Sequence, residues 1–519
     1  MFSIKNQLLI VLLLCHMPCV YAQEQVSFQE DPSYNPGRFS DTLAMSGKLR
    51  DLQQYEDACA LLYQYLRHHP EDVNALWLCA QTELWRGHPG ASKKLYAAAA
   101  ALAPANDYLV LDYAAALADM REWKRATGML ERLEAQGRVY SSGLMTRANI
   151  LYWSAAYAEA RKITEQVRAR EPDHKAARDL NEKIRLAQAP WIRLSAAYVS
   201  DNQPLQTIKP LLEAGMFRHR LLAPFVSVYT PVFTEKGRNS GVQQVEAGNQ
   251  FLFPHAGMKL RLSGGATHFA YGNTGDWTGS VSVRQKKKYF FWEADAERKP
   301  YLFTTTSLDT AVSYGHFSGG AGWSRENGIE GKIAAELNAF RGGNYVYTLY
   351  GWLYAPPMNF SIFTLRLGYS YSYSDAKENS FIYGKSLAEA IAGYNEPLKG
   401  MYHIYFTPEQ QHIHAALLSC RVRASGRLEF GFNMDAGLMA WAQNPYLYLD
   451  KNDRDEIYIA KGFDPQKFSP FGISVFANWQ LSPEMYLSAD YQYRQTWFFT
   501  TNQVGLGLKI NFPDVRSIQ

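Results

Sequence analysis

From Trp191 to Phe512, run after run of residues alternates between apolar and polar, and no other feature constrains the chain as much. Successive side chains on a strand point to opposite faces, so each run predicts a strand with one apolar and one largely polar surface. The closing stretch shows it best. Met485, Leu487, Ala489, Tyr491 and Tyr493 oppose Tyr486, Ser488, Asp490, Gln492 and Arg494, and Val504, Leu506, Leu508 and Ile510 oppose Gly505, Gly507 and Lys509. Earlier runs set Leu194 and Ala196 against Arg193, Leu260 and Leu262 against Lys259 and Arg261, and Ala294 and Ala296 against Glu293, Asp295 and Glu297. Leu365 and Leu367 flank Arg366, and Phe430 to Leu438 alternates with Glu429, Asn433 and Asp435.

A soluble sandwich has no need of charged ladders on one face or of aromatics gathered near strand ends. A bilayer favours both, because amphipathic rings settle at its two interfaces. The chain holds 34 Tyr and 12 Trp, and Tyr345, Tyr347, Trp352, Tyr354, Tyr369 and Tyr371 are placed as such a girdle. The expected fold over 191–512 is therefore an antiparallel transmembrane β-barrel of about sixteen strands, an even number being needed when both chain ends leave on one side. Gly-rich text over 308–325 is ascribed to two blurred strands. A short helix is expected near 386–391. Segments 202–217 and 441–468 suit outer loops or plugs.

Residues 39–188 follow a different period. Pro70, Pro104 and Pro172 fall on one 34-residue frame; Ala80, Ala114 and Ala148 recur at a second position with Ser46, and Ala58, Ala126 and Ala160 at a third with Ser92. Small residues let paired helices approach, and Pro ends the second helix of each pair. This region resembles the tetratricopeptide repeats, in four copies over 39–72, 73–106, 107–140 and 141–174, with a capping helix over about 173–186. The resemblance implies a solenoid that docks a protein partner.

The first 22 residues carry Lys5, an apolar run from Leu8 to Leu14 and the triplet Val20-Tyr21-Ala22, the pattern of a signal peptide, followed by a linker over 23–38. Cleavage leaves Cys59, Cys79 and Cys420, which is no disulfide framework; Cys59 and Cys79 fall at helical core positions, where buried thiols are expected. With 53 Lys+Arg against 49 Asp+Glu, the net charge of +4 points to no nucleic-acid partner. The fold class is thus multidomain α + β, an N-terminal solenoid followed by a barrel, with a free tail from Pro513, which has no amide to continue the last strand.

The order of signal peptide, repeat array and barrel resembles the outer-membrane exporters of cellulose and poly-N-acetylglucosamine. That resemblance implies a polysaccharide conduit in the outer membrane, its array in the periplasm holding a partner protein. The residues expected to point into the lumen and meet the chain are Arg193, Lys259, Arg261, Arg284, Glu293, Asp295, Arg366, Glu429, Asp435, Tyr486, Asp490 and Arg494. Their mixed signs favour a neutral or weakly charged sugar. No catalytic constellation is identifiable and no cofactor is expected. His412 and His414 put two imidazoles on one strand face without a third metal ligand, and Asp450 to Glu456 departs from a calcium loop at Arg454 and Asp455. Two other roles remain open: an anchor whose repeats recruit periplasmic proteins, and a barrel enzyme acting on lipid or glycan.

Overall fold

The structure, a computed structural model, describes residues 39–513 except 236, 273, 305–306, 308–309, 326–327, 394–396 and 497. The expected signal peptide, linker and tail beyond 513 lie outside the described residues. The chain divides into two compact units, one ending at Met120 and the other beginning at Arg121.

The first unit holds α1 (Phe39–Asp51), α2 (Tyr55–His68), α3 (Val73–Trp85), α4 (Pro89–Leu102) and α5 (Asp107–Asp119). Its helix pairs restart at 39, 73 and 107, the 34-residue frame expected of tetratricopeptide repeats. Ser46, Ala58, Ala80, Ser92 and Ala114 are all fully buried, so the small residues stand where helices touch. Leu62 and Tyr96, at one position of the frame, fill the space beside them. Helix starts are capped where the sequence supplies an acceptor: Asp72 accepts from the amides of Asn74 and Ala75, and Asn106 from that of Leu109. Cys59 and Cys79 are buried free thiols.

The second unit continues the frame with α6 (Trp123–Ala135), α7 (Ser141–Trp153), α8 (Tyr157–Arg170) and the capping helix α9 (Lys175–Gln188). Ala126, Ala148 and Ala160 are again fully buried. Pro190 then separates α9 from the barrel.

The barrel has sixteen strands. They are β1 (Trp191–Asp201), β2 (Leu205–Gly215), β3 in two segments (Ala223–Tyr229, Val232–Glu235), β4 (Arg238–Phe253), β5 (Met258–Phe269), β6 (Thr274–Lys287), β7 (Phe290–Pro300) and β8 (Ser313–Ser324). Then come β9 (Glu330–Ala339), β10 (Tyr345–Tyr354), β11 (Phe363–Ala376), β12 (Gln411–Arg423), β13 (Leu428–Lys451), β14 in two segments (Ile457–Phe468, Phe471–Gln480), β15 (Met485–Gln495) and β16 (Thr500–Asn511). Each pairs antiparallel with the next, and β16 returns to β1 from Trp191↔Asn511 to Asp201↔Thr501, which closes the sheet and leaves no free edge. Pairing stops at Asn511, and the Phe512 amide donates to the Pro190 carbonyl at 2.8 Å.

Several expectations need correction. Segment 202–217 is no loop: most of it is β2. Pro210 is tolerated there because its carbonyl, and hence its missing N–H, faces the break between the two segments of β3, where the Thr230 amide donates to it. Segment 441–468 is the continuation of β13 and β14 beyond the barrel rim as a paired hairpin. The described residues of 308–325 contain one strand, β8. The short helix does form, at Leu387–Ala392, closed by a capping box between Ser386 and Glu389.

Candidate functional site

Residues paired across strands share a face, so the register sorts every strand residue to one side of the wall. One face carries ion pairs and hydrogen bonds between strands that are not neighbours. Arg261 on β5 meets Glu213 on β2 at 2.7 Å, Lys332 on β9 meets Glu293 on β7 at 2.5 Å, and Thr278 on β6 donates to Glu246 on β4 at 2.7 Å. Only the concave side of a closed barrel brings such strands within reach, so this face is the lumen. The other face exposes large apolar side chains, among them Ile333 at 69% and Leu506 at 60%.

Arg193 pairs in register with Glu213 and Lys509, Lys259 with Arg284, Arg284 with Glu293, and Tyr486 with Lys509. By the same bookkeeping Arg261, Asp295, Arg366, Glu429, Asp435, Asp490 and Arg494 lie on the inward face. Arg366 is ion-paired with Glu330, and Glu429 lies 3.4 Å from Arg421. Asp435 and Asp490 lie flat over Gly472 and Gly505, at which a Cβ would collide with the carboxylate. The two acids therefore lie against the wall.

Sequence reasoning missed Glu213 and Lys209, hidden on the unrecognised β2, although Thr207, Lys209 and Glu213 alternate with Ile208 and Leu212. It also assigned Trp352 and Tyr354 to the girdle. Register pairs them with Lys332 and Glu330, so both face the lumen, whereas Tyr345, Tyr347, Tyr369 and Tyr371 face outward. His412 and His414 are outward too. Each places Nδ1 near a tyrosine hydroxyl, Tyr371 at 2.9 Å and Tyr369 at 2.6 Å, and Trp441 stacks on His412 with centroids 4.3 Å apart. Among the described residues no three His, Cys, Asp or Glu are grouped to hold a metal.

The end of the barrel at Trp191 will be called proximal. Here the helices of the second unit rest on the strand turns. Trp123 of α6 meets His255 between β4 and β5 edge-on at 5.1 Å, Tyr157 of α8 packs on Phe217 between β2 and β3 at 4.7 Å, and Arg185 of α9 bonds Glu484 between β14 and β15 at 3.0 Å.

The distal end is bridged. Segment 377–410, between β11 and β12, carries Tyr405, which stacks on Phe340 at 3.7 Å within a buried cluster of Tyr301, Tyr314 and Val346. The next residue, Phe406, donates its amide to the Tyr301 hydroxyl at 3.2 Å and lies 5.5 Å from Phe498. Tyr301 follows β7 and Phe498 precedes β16, on opposite sides of the barrel, so Phe406 sits over the mouth. Lys461 of the β13–β14 hairpin ties the segment down by donating to the Asn379 carbonyl at 2.9 Å. In this same seat Glu409 has its carboxyl held above the usual carboxylate range by burial and by nearby Asp375, while burial lowers the Lys461 ammonium.

A closed sixteen-strand barrel with an apolar exterior and a polar lumen is a membrane-spanning barrel of the outer-membrane type, and the helix hairpins on a 34-residue period are tetratricopeptide repeats. No family model matches the chain, and no curated protein matches it. Among solved structures it is similar to a bacterial polysaccharide outer membrane secretin, with 8% identity and a TM-score of 0.45 over 63% of this chain and 99% of that one. It is similar to the outer membrane protein OmpT of Vibrio cholerae at 8% identity and a TM-score of 0.27, over 62% and 96% of the two chains. A tetratricopeptide repeat protein from Parabacteroides merdae matches 29% of this chain and 59% of its own, at 12% identity and a TM-score of 0.27.

Proposed function

We propose that the protein is an outer-membrane conduit through which an exopolysaccharide leaves the cell, with the repeats in the periplasm holding a partner protein and the chain itself performing no chemistry. The observation that carries this reading is the lumen wall, polar and aromatic on strand after strand. Sugar rings offer an apolar face and a rim of hydroxyls. Trp352, Tyr354, Phe476 and Tyr486 supply inward faces for stacking, and the charged residues between them supply donors and acceptors. Both signs of charge occur on the wall, which suits a chain that is neutral or charged only at intervals.

Deleting the gene should strip a glycan from the cell surface while its polymer accumulates inside, and the full chain should restore export. A deletion strain with its surface glycan intact overturns the proposal. One observation favours a second reading, an anchor that positions periplasmic partners: Phe406 is seated over the distal mouth by contacts to opposite walls. On that reading the surface glycan persists and only the partner is displaced.

A further inference from the structure

Charge is unevenly spread along the lumen. Near the proximal end, Arg193 on β1, Lys259 and Arg261 on β5, Arg284 on β6 and Lys509 on β16 gather on one part of the wall, and Lys259 lies within electrostatic reach of the other four. Carboxylates there are few. Glu213 uses both oxygens, one on Arg193 at 3.1 Å and one on Arg261 at 2.7 Å. Glu293 is drawn 2.5 Å from Lys332 and stands 3.7 Å from Arg284. Lys259 and Lys509 have no carboxylate within ion-pair distance among the described residues. Five cations therefore share one carboxylate of their own and part of another.

An independent feature sits in the same place. Trp191 is also inward, lying over Gly215, where a Cβ would press on its ring, and that ring is 5.9 Å from the Arg193 guanidinium and 5.8 Å from the Lys509 ammonium. Tyr486, exposed to the lumen, is the cross-strand partner of Lys509 on the other side. Flat aromatic faces beside a cation with no carboxylate of its own, here Lys509, are what an acidic sugar needs, the ring stacking while its anionic group meets the charge. The turns on which α6, α8 and α9 rest, between β2 and β3, β4 and β5, and β14 and β15, border this part of the mouth.

We propose that this patch is an entry site that takes acidic substituents, carboxylate or phosphate, carried at intervals on the exported sugar chain; the proposal rests on the export reading and names the substrate class for it. The two signs of the wall then divide the work. Cations capture the charged residues at entry, and the mixed wall beyond them prevents a permanently bound polyanion.

Equilibrium binding to the full chain in nanodiscs tests it and needs no open distal mouth. Hexagalacturonate should bind at least about tenfold more tightly than neutral maltohexaose, the preference should fall with added salt, and the double variant K259Q/K509Q should abolish it. K259R/K509R should restore it, and K451Q, at the tip of the β13–β14 hairpin outside the lumen, should leave it unchanged; heat-modifiable migration on gels reports that each barrel is folded. Equal binding of the two sugars by the wild-type protein, or a preference that survives K259Q/K509Q, overturns the proposal. Should the acidic preference hold while gene deletion leaves the surface glycan untouched, the entry site stands and export falls. Should deletion remove the glycan while both sugars bind alike, export stands and the entry site falls.

Discussion

The repeats and the barrel solve the same problem, burying or pairing everything a chain exposes, over different distances. In the repeats each helix finds its partner within its own or the adjoining 34-residue copy, and fully buried Ala80 or Ala114 needs only that neighbour. In the barrel no strand is finished until β16 meets β1, the last strand returning to the first. Stability in the first region is therefore close to a sum of local terms, and in the second it depends on one closing event. Damage should stay local in the repeats and spread in the barrel.

The sharpest way to break this contrast is at the seam. Leu506 pairs with Ala196 on one side and Ala489 on the other, so it has no free edge on which a proline could be tolerated. Leu506→Pro removes a ladder hydrogen bond in the middle of the sheet, a position where proline is essentially not tolerated. Heat-modifiable migration of the full chain should be lost altogether, while the helical circular dichroism signal persists. A barrel that still migrates as folded would show that closure is not the decisive step.

Leu62→Ala tests the other side of the comparison. Leu62 is fully buried in α2, and its truncation should destabilise the first unit by about 2–5 kcal/mol. Urea unfolding followed by far-ultraviolet circular dichroism should show an earlier helical transition with the barrel transition unmoved. A joint shift of both transitions would mean that the two regions are coupled in stability.

The same contrast explains what could be read from the sequence. Small residues on a fixed frame are visible because the repeats restate one local contact, and Ser46, Ala80, Ala114 and Ala148 all prove buried. Strict alternation likewise reveals the face of each strand, so the inward placement of Arg193, Glu293 or Arg494 follows from parity. Legibility fails where the phase slips. In β13, Met439 pairs with His414 and Gly437 with Ala415, leaving Leu438 as a bulge, and Leu438 and Met439 both point outward, 65% and 55% exposed. Beyond that point odd residues face outward, and a strand with reversed phase reads as a loop. Contacts that need closure are equally silent in sequence: nothing in the text around Arg261 names Glu213, three strands away, and the loop that seats Phe406 over the distal mouth has no period to betray it.

The smallest expected effects test whether repeats are equivalent at all. The turn inside each helix hairpin passes through a left-handed residue at Gln53, Gly87, Arg121 and Ala155, with φ of 62°, 86°, 62° and 57°. Only the second copy uses the residue that adopts this conformation without penalty. A Cβ at Gly87 would meet no atom within 4 Å, so packing cannot confound the comparison. Gly87→Ala should therefore cost about 1 kcal/mol through φ alone, and Gln53→Gly in the neighbouring hairpin should gain up to about 1 kcal/mol, reduced by the extra freedom glycine gives the unfolded chain. Opposite shifts in the urea midpoint of the helical transition are the expected outcome. Shifts of the same sign would show that the two turns, although one frame apart, are held by different forces, and that the first unit is less a sum of equal repeats than its geometry implies.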